Sequence, residues 1–336
     1  MAYSRFVALP LLCLLAAACD SKNVGAVTPA SITASATAET KQTPAPVAAP
    51  YWSLVREAGV DYVADKQGNR VPSAEYRRIV VISPGAVETC YLIGAEGAIA
   101  AIPESREGIW PTEQTALLPT IGNAARPDLE SIIALEPDLI LGSAMNGALV
   151  SDLATRGYPV LIHGADTMED IFATTLLIGT LTGTRAAAEA LVAEKKQALV
   201  ALAESLGTNA APLKGAFLYS VNPIMAFTED SLPGEILTLL GAHNIAAGLP
   251  VEQPILSSEY LLTENPDFLF GAMSITKPED ILGADSVIQK TRAGQTGAIS
   301  IVPSSLFLRP SPRLVDSLRA LQETLSALRQ PVTEGL

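Results

Sequence analysis

The chain has 336 residues, of which 35 are acidic and 22 basic, so its formal net charge is −13. An excess of acids of this size excludes charge-driven binding to nucleic acid and to anionic lipid. Hydrophobic residues make up 49% of the chain and aromatic residues only 5%, which is typical of sheets covered by helices on both faces. We therefore expect an α/β protein that has no nucleic-acid partner.

The first residues have the pattern of a bacterial lipoprotein signal. Arg5 precedes an apolar run over 6–18, which is too short for a stable membrane-spanning helix, and small residues lead directly to Cys19. We interpret 1–18 as a signal peptide and Cys19 as the lipidated first residue of the mature protein. Ordinary secretion with cleavage nearby is the alternative. Asp20 predicts retention at the periplasmic face of the inner membrane, in the cell envelope.

Residues 19–50 are predicted to form a disordered tether. Ala, Thr, Pro, Ser and Val dominate this segment, and it has almost no large apolar side chains with which to bury a core. A folded region of two lobes, 51–183 and 208–336, is expected to follow. Once Cys13 is removed and Cys19 is lipidated, Cys90 remains unpaired in an apolar helix, which predicts an inert buried thiol.

The first lobe alternates predicted strands with predicted helices. A hairpin-like stretch around 61–72 turns at KQGN, and a buried strand over 78–83 leads through Pro84 and Gly85 into a helix over 86–94. Further strands are predicted at 97–102 and 159–163, and further helices at 148–156 and 168–181.

One phrase occurs twice in the chain. ESIIALEPDLILG begins at Glu130, and EYLLTENPDFLFG begins at Glu259, 129 residues later. In both copies a Glu stands seven residues before a Pro-Asp pair, and an apolar run ending in Gly follows. A short helix that is ended by Pro and followed by a buried strand is one unit of a parallel sheet. The repeat therefore predicts two similarly built lobes, each presenting one carboxylate at a matching place.

Residues 184–207 predict one long connecting helix. Four leucines between 191 and 206 fall on one stripe, Thr184 can cap the start and Gly207 can end the helix. A helix of this length spans roughly 35 Å and has no Pro or Gly between its caps, so we expect a rigid strut. The second lobe is predicted to add strands at 214–220 and 298–302 and helices at 234–241 and 311–328.

Six fragments in chain order resemble one protein family. They are RIVVISPGAVETCYLIGA, LPTIGNAARPDLESIIALEPDLIL, the long helix, LPGEILTLLGAHNIA, SSEYLLTENPDFLF and RPSPRLVDSLRAL. Together they cover nearly all of 61–328, and they resemble the periplasmic binding proteins that serve ABC importers of iron–siderophores, haem and vitamin B12. The resemblance implies two Rossmann-like α/β lobes joined by a single long helix, with a ligand cleft between the lobes of a monomer.

The motif content favours a binding protein over an enzyme. The chain has no nucleophile elbow, P-loop, CxxC or HExxH motif. Its only histidines are His163 and His243, and a site for free zinc or manganese would need three or four His or carboxylate ligands. We therefore predict no catalytic residue, no bound cofactor and no site for a free metal ion, and we interpret His163 as a wall of the cleft.

The family resemblance assigns a docking role to Glu130 and Glu259. In this family one Glu on each lobe pairs with arginines of the ABC permease dimer, which works with its ATPase subunits, and these two residues stand at the matching positions. An acid in the first turn also stabilises its own helix through the helix dipole. Both roles can hold at once.

Residues at strand-to-helix turns are the candidates for ligand contact, because the family places its cleft there. They are Ser83, Pro84, Arg106, Trp110, Arg126, Met145, His163, Tyr219, Met225, Phe227, Phe307 and Arg309. Three arginines favour an anionic ferric-siderophore, since guanidinium pairs with carboxylate and catecholate oxygens. Haem and a corrinoid are the alternatives.

Two classes of function remain open from the sequence. The first is the substrate-binding lipoprotein of an ABC importer that takes up an iron chelate. The second is a lipoprotein of the same fold that acts as a sensor or scaffold and has no permease. A gene neighbourhood containing a permease and an ATPase would favour the first class.

Overall fold

The structure, a computed structural model, describes residues 50–206, 211–251 and 253–329. The predicted signal peptide, Cys19 and all but the last residue of the predicted tether lie outside the described residues. Residues 50–206, 211–251 and 253–329 belong to one compact unit. A search of these residues for a helix long and apolar enough to span a membrane finds none.

The described chain begins with a small antiparallel sheet. Its strands are β1 (Trp52–Glu57), β2 (Val60–Asp65) and β3 (Arg70–Pro72), in the order β1-β2-β3. Residues 66–69 turn β2 into β3, as predicted, and the Asp65 carboxylate holds the turn by accepting from the backbone N–H groups of Gln67 and Asn69. β1 is not among the strands predicted from the sequence.

The first lobe is built on a six-stranded sheet. Its strands are β4 (Ile79–Val81), β5 (Ile99–Glu104), β6 (Thr120–Asn123), β7 (Arg126–Pro127), β8 (Leu139–Ser143) and β9 (Val160–His163). The strand order is β7-β6-β5-β4-β8-β9, and all pairs are parallel except β6 with β7. The direction of winding therefore reverses between β4 and β8, where α/β proteins place their ligands.

Helices flank this sheet and continue the chain. They are α1 (Pro84–Leu92), α2 (Thr112–Thr115), α3 (Leu129–Ala134), α4 (Gly147–Thr155), α5 (Met168–Leu181) and α6 (Arg185–Ser205). Cys90 is buried in α1, and burial, aided by Glu96, raises the pKa of its thiol to about 12. The predicted inert buried thiol is confirmed, since a thiol of this pKa stays protonated.

The second lobe repeats the plan with fewer strands. Its strands are β10 (Leu213–Val221), β11 (Ile224–Ala226), β12 (Ala242–Asn244), β13 (Phe268–Gly271) and β14 (Ile299–Ile301). Its helices are α7 (Leu232–Leu239), α8 (Ser258–Glu264), α9 (Pro278–Leu282), α10 (Arg292–Thr296), α11 (Ser304–Phe307) and α12 (Arg313–Arg329). Parallel pairing joins β12 to β10, β10 to β13 and β13 to β14, while β11 is antiparallel to β10.

The two copies of the repeated phrase fold in the same way. The first copy forms α3 and β8, and the second forms α8 and β13. In the first lobe the Asp138 carboxylate accepts from the backbone N–H of Arg78 at 2.9 Å, beside the start of β4. In the second lobe Asp267 accepts from the backbone N–H of Lys214 at 2.8 Å, in β10. The Asp of each Pro-Asp pair thus fixes its strand against the central strand of its sheet.

The predicted connecting helix is confirmed as α6, and a second helix also links the two cores. The C-terminal half of α5, with Ile178 and Leu181, belongs to the core of the first lobe, whereas Ile171 and Phe172 belong to a core of the second. This differs from the prediction, which places α5 in the first lobe alone. Lys195 of α6, itself buried, holds Asp316 of α12 through an ion pair of 2.8 Å.

Candidate ligand-binding site

A cavity of about 560 Å³ lies between the two lobes and is lined by residues of both. Its walls include the residues that follow β4, β8 and β9 in the first lobe, and those that follow β13 and β14 in the second. These are the carboxyl ends of parallel strands, where ligands of open α/β sheets bind. Seven of the residues predicted for ligand contact line this cavity: Ser83, Pro84, Arg106, Met145, His163, Phe227 and Arg309.

The other five predicted contact residues do not line the cavity. Phe307 is buried in a core of the second lobe, and Tyr219 packs against Phe227 with the two ring centres 4.8 Å apart. The Trp110 ring lies under the guanidinium of Arg313, at 4.8 Å. Two further residues are placed on other strands: Arg126 is exposed on β7, and Met225 is half-buried on β11.

His163 and Ser83 form a buried polar pair in the wall of the first lobe. The Oγ of Ser83 lies 2.9 Å from Nδ1 of His163, and the imidazole meets the Trp52 ring edge-on at 6.0 Å. Burial lowers the pKa of His163 to about 3, so the ring is neutral. Its Nε2 is buried and has no hydrogen-bond partner in the described part of the chain. Among the described residues no carboxylate hydrogen-bonds this imidazole, whose hydrogen-bond partner is Ser83.

Tyr51 also lines the cavity and is not among the residues predicted for ligand contact. Burial raises the pKa of its phenol to about 12, and the carboxylates of Asp166, Asp65 and Asp170 add to that shift. Its backbone N–H donates to Asp170 at 2.8 Å, which fixes the start of the folded region beside the cavity. Tyr51 directly follows a Pro- and Ala-rich segment, and no motif around it signals a ligand site.

Arg309 lines the cavity, but other residues of the protein occupy its guanidinium. Nη1 pairs with the buried Glu88 of α1 at 3.0 Å. Nη2 donates to the Ser105 Oγ at 2.9 Å and to the Gly108 carbonyl at 2.8 Å. Arg309 therefore holds the loop over 105–108 against the second lobe, and that loop carries Arg106.

Arg106 is the one cation of the cavity wall that forms no ion pair with any residue that the structure describes. Two acids also line the cavity: Asp166, which pairs with Lys66, and Glu107, which accepts from the backbone N–H of Ser305 at 2.8 Å. Most of the remaining wall is apolar, and it includes Pro84, Ala124, Ala144, Ala165, Leu232, Pro233, Met273, Leu308 and Pro310.

Glu130 and Glu259 occupy matching places outside this cavity. Each is the second residue of its helix, α3 or α8, and both side chains are exposed. Asp128 caps the first helix by accepting from the Glu130 N–H, and Ser257 caps the second by accepting from the Tyr260 N–H. Exposed acids at two capped helix starts are oriented outward, one on each lobe.

A search of residues 50–206, 211–251 and 253–329 for three or more His, Cys, Asp or Glu side chains placed to hold a metal ion finds no such group. The candidate site is the interlobe cavity, with a largely apolar wall and with Arg106 unpaired among the described residues.

Comparison with known proteins identifies the family. The model of the periplasmic binding protein family matches residues 79–306, and the chain belongs to this family of solute-binding proteins. Two curated relatives are a cobalamin-binding protein of Halobacterium salinarum and a vitamin B12-binding protein of Pectobacterium carotovorum. The first is 26% identical over 255 residues, which are 73% of this chain and 68% of the relative. The second is 27% identical over 255 residues, which are 75% and 89% of the two chains.

Solved structures share the two-lobed fold. The periplasmic vitamin B12 binding protein of Vibrio cholerae superposes with a TM-score of 0.64 at 21% identity, over 77% of this chain and 100% of that one. A periplasmic haem-binding protein from Roseiflexus sp. RS-1 gives 0.65 at 22% identity, over 76% and 99%. An ABC-type Fe3+-hydroxamate transport protein from Saccharomonospora viridis gives 0.63 at 21% identity, over 81% and 98%. The predicted fold and family are confirmed.

Proposed function

We propose that this protein is the substrate-binding component of an ABC importer and that it captures a corrinoid in the interlobe cavity. The observation that carries the proposal is a largely apolar cavity with one unpaired cation, Arg106. A cobalamin is a bulky macrocycle whose periphery bears neutral amides and whose nucleotide loop carries a single phosphate. Such a ligand needs extensive apolar contact and one charge-assisted partner.

The arrangement of the arginines argues against a multiply anionic siderophore, the ligand that the sequence favoured. Of the three arginines on which that expectation rests, Arg126 lies outside the cavity wall, and the Arg309 guanidinium is held within the protein by Glu88, Ser105 and Gly108. Only Arg106 is left to meet a ligand charge, while Glu107 and Asp166 add acids to the same wall. A ligand with several carboxylate or catecholate oxygens would find too few cations here.

The Tyr and the His of the wall are poor ligands for haem iron, which leaves the thioethers of Met145 and Met273 as the wall's other candidate ligands. Haem iron in proteins is commonly ligated by His, Cys, Met or Tyr. Tyr51 has a pKa of about 12, which disfavours the phenolate that binds iron. The His163 Nε2 is buried below the surface of the wall. The two relatives reported above, one named for cobalamin and one for vitamin B12, support the same choice.

A calorimetric titration of the purified protein with cyanocobalamin tests the proposal. We expect one ligand per protein and, for Arg106→Ala, an affinity about tenfold lower, because a charge-assisted hydrogen bond contributes about 1.5 kcal/mol. Arg156→Ala, at the residue that follows α4 and outside the cavity wall, is the matched control and is expected to bind like the wild type. Absence of binding to cyanocobalamin, with binding of haem or a ferric-siderophore, would contradict the proposal.

The proposal includes the predicted anchor and the predicted docking residues. Lipidation of Cys19 would hold the protein at the periplasmic face of the inner membrane, and two acyl chains give stable attachment where one is marginal. Glu130 and Glu259 would meet basic residues of the permease dimer. Their exposure at equivalent helix starts supports this role, in which paired charges set register and orientation more than affinity.

A further inference from the structure

Two methionines of the cavity wall are unusually exposed. Of the large apolar side chains exposed in the described part of the chain, only Met145 and Met273 line the cavity, with 69% and 58% of their surface accessible. Exposed apolar surface in a concave site is typical of contact with a ligand or partner. Most other apolar positions of the wall hold Pro, Ala or Leu, whose side chains are shorter or stiffer than that of Met.

These methionines come from opposite lobes, and each follows one copy of the repeat. Met145 is the second residue after the end of β8, and Met273 is the second residue after the end of β13. Both strands lie next to the central strand of their sheet, at the point where the winding reverses. The repeated fold therefore delivers one flexible thioether side chain from each lobe to the same cavity.

The backbone at Met273 has an unfavourable conformation for its residue type. Its φ is +59°, in the left-handed region that favours glycine, and its N–H donates to the Ser304 Oγ at 3.0 Å. A residue with a Cβ is disfavoured in this conformation. Strain of this kind occurs where the surrounding structure fixes a residue for contact with a ligand. A large side chain at a position that suits glycine thus points independently to a function for Met273.

We propose that Met145 and Met273 form a methionine clamp, one arm from each lobe, that packs on the apolar body of the bound chelate. The clamp rests on the proposed function and assigns specificity within the same cavity. Methionine has three rotatable bonds and a polarisable sulfur, so it adapts to an irregular surface without a fixed shape. The clamp would favour ligands with a large apolar surface, and Arg106 would supply the charged contact.

Oxidation footprinting with hydrogen peroxide tests the clamp directly. Peroxide transfers one oxygen atom to the thioether and leaves as water, and exposed methionines react first. We expect saturating cyanocobalamin to slow sulfoxide formation at Met145 and Met273 by at least about fivefold, as their exposed surface is covered. The half-buried Met225, which lies outside the cavity wall, is the internal reference and should react at the same rate with and without ligand.

Ligand occupancy is measured in the same samples by the visible absorbance that remains after desalting. Bound cyanocobalamin with unprotected methionines would overturn the clamp and leave the proposed function standing. If cyanocobalamin fails to bind, the proposed function fails, and the clamp fails with it.

Substitution separates ligand contact from folding. We expect Met145→Ala and Met273→Ala each to weaken cyanocobalamin binding about fivefold to tenfold, from the loss of buried apolar contact. Met273→Gly should weaken binding equally while keeping or raising the Tm, because glycine accepts the left-handed backbone. A role in structure alone would instead lower the Tm and leave affinity unchanged. Val200→Ala, at an exposed aliphatic residue of α6, is the control and should change neither quantity.

Discussion

The two histidines of the chain differ in burial: His163 is buried, whereas His243 is exposed. Burial lowers the pKa of His163 from 6.5 to about 3. Between these values the unfolded chain binds a proton that the folded protein does not, so stability falls as the pH falls through this window. Because of His163, we expect the free energy of unfolding to be about 2 kcal/mol lower at pH 5 than at pH 7.

Urea unfolding of His163→Gln at both pH values checks this expectation, because the variant should lose less stability on acidification than the wild type. The matched control is His243→Gln, at the exposed histidine. An equal loss in the wild type and in His163→Gln would show that the imidazole does not carry this pH dependence.

Glu88 is a second residue whose role depends on burial. It is 1% exposed and pairs with Arg309 at 3.0 Å and with Arg313 at 3.1 Å, while the Ser311 hydroxyl donates to it at 2.9 Å. Removing one partner of a buried ion pair leaves the other charges unmatched, so Glu88→Ala should lower the free energy of unfolding by about 3 kcal/mol. The same measurement on Glu113→Ala, at an exposed acid of α2, should show a change within about 0.5 kcal/mol.

At the level of secondary-structure elements, the repeated helix–strand unit was predictable because its signals are local. Each copy contains an acid, a Pro-Asp pair and an apolar run within thirteen residues, and these mark a helix start, a helix end and a buried strand. The long helix α6 was predictable for the same reason. The strand β1 was not, since Trp52 is fixed by donating to the carbonyl of Ile162, 110 positions away in sequence.

The candidate site was predictable only in part, again for reasons of sequence distance. Turns after strands identified Ser83, Met145 and His163, because chain order places them at the carboxyl ends of the sheet. The pairing of Arg309 with Glu88 joins residues 221 positions apart, so the sequence could not show that this arginine is already paired within the protein. The Met273 N–H likewise donates to Ser304, 31 positions away, and no local turn motif signals the left-handed conformation of Met273.

The docking prediction concerns Glu130 and Glu259, in the first turns of α3 and α8. The double variant Glu130→Ala/Glu259→Ala should keep its cyanocobalamin affinity within about twofold, because neither residue lines the cavity. Uptake and stimulation of the cognate ATPase should fall sharply. Glu113→Ala/Glu279→Ala removes the exposed acid from the same position of α2 and α9 and should transport normally. Normal transport by the first double variant would contradict the assignment, and lost affinity would place these residues in the ligand site.

For the whole molecule, the links between the lobes predict little movement on ligand binding. Two helices, α5 and α6, contribute to the cores of both lobes, and α6 has no Pro or Gly at which to bend. The Glu88 cluster and the contact of Glu107 with the Ser305 N–H join the lobes again across the cavity. Small-angle scattering should therefore give nearly equal radii of gyration with and without cyanocobalamin. A large compaction on binding would show a hinge that these contacts do not provide.

Native mass spectrometry in a mixture of ligands measures the choice of substrate most directly. The purified protein is incubated with cyanocobalamin, haem and a ferric hydroxamate at equal concentrations, and the mass of the bound species identifies the ligand. A mainly apolar cavity with Arg106 as its one unpaired cation predicts a single adduct with the mass of the cobalamin, in a ratio of one to one. A dominant adduct of haem or of the ferric hydroxamate, with no cobalamin bound, would contradict the proposed corrinoid specificity.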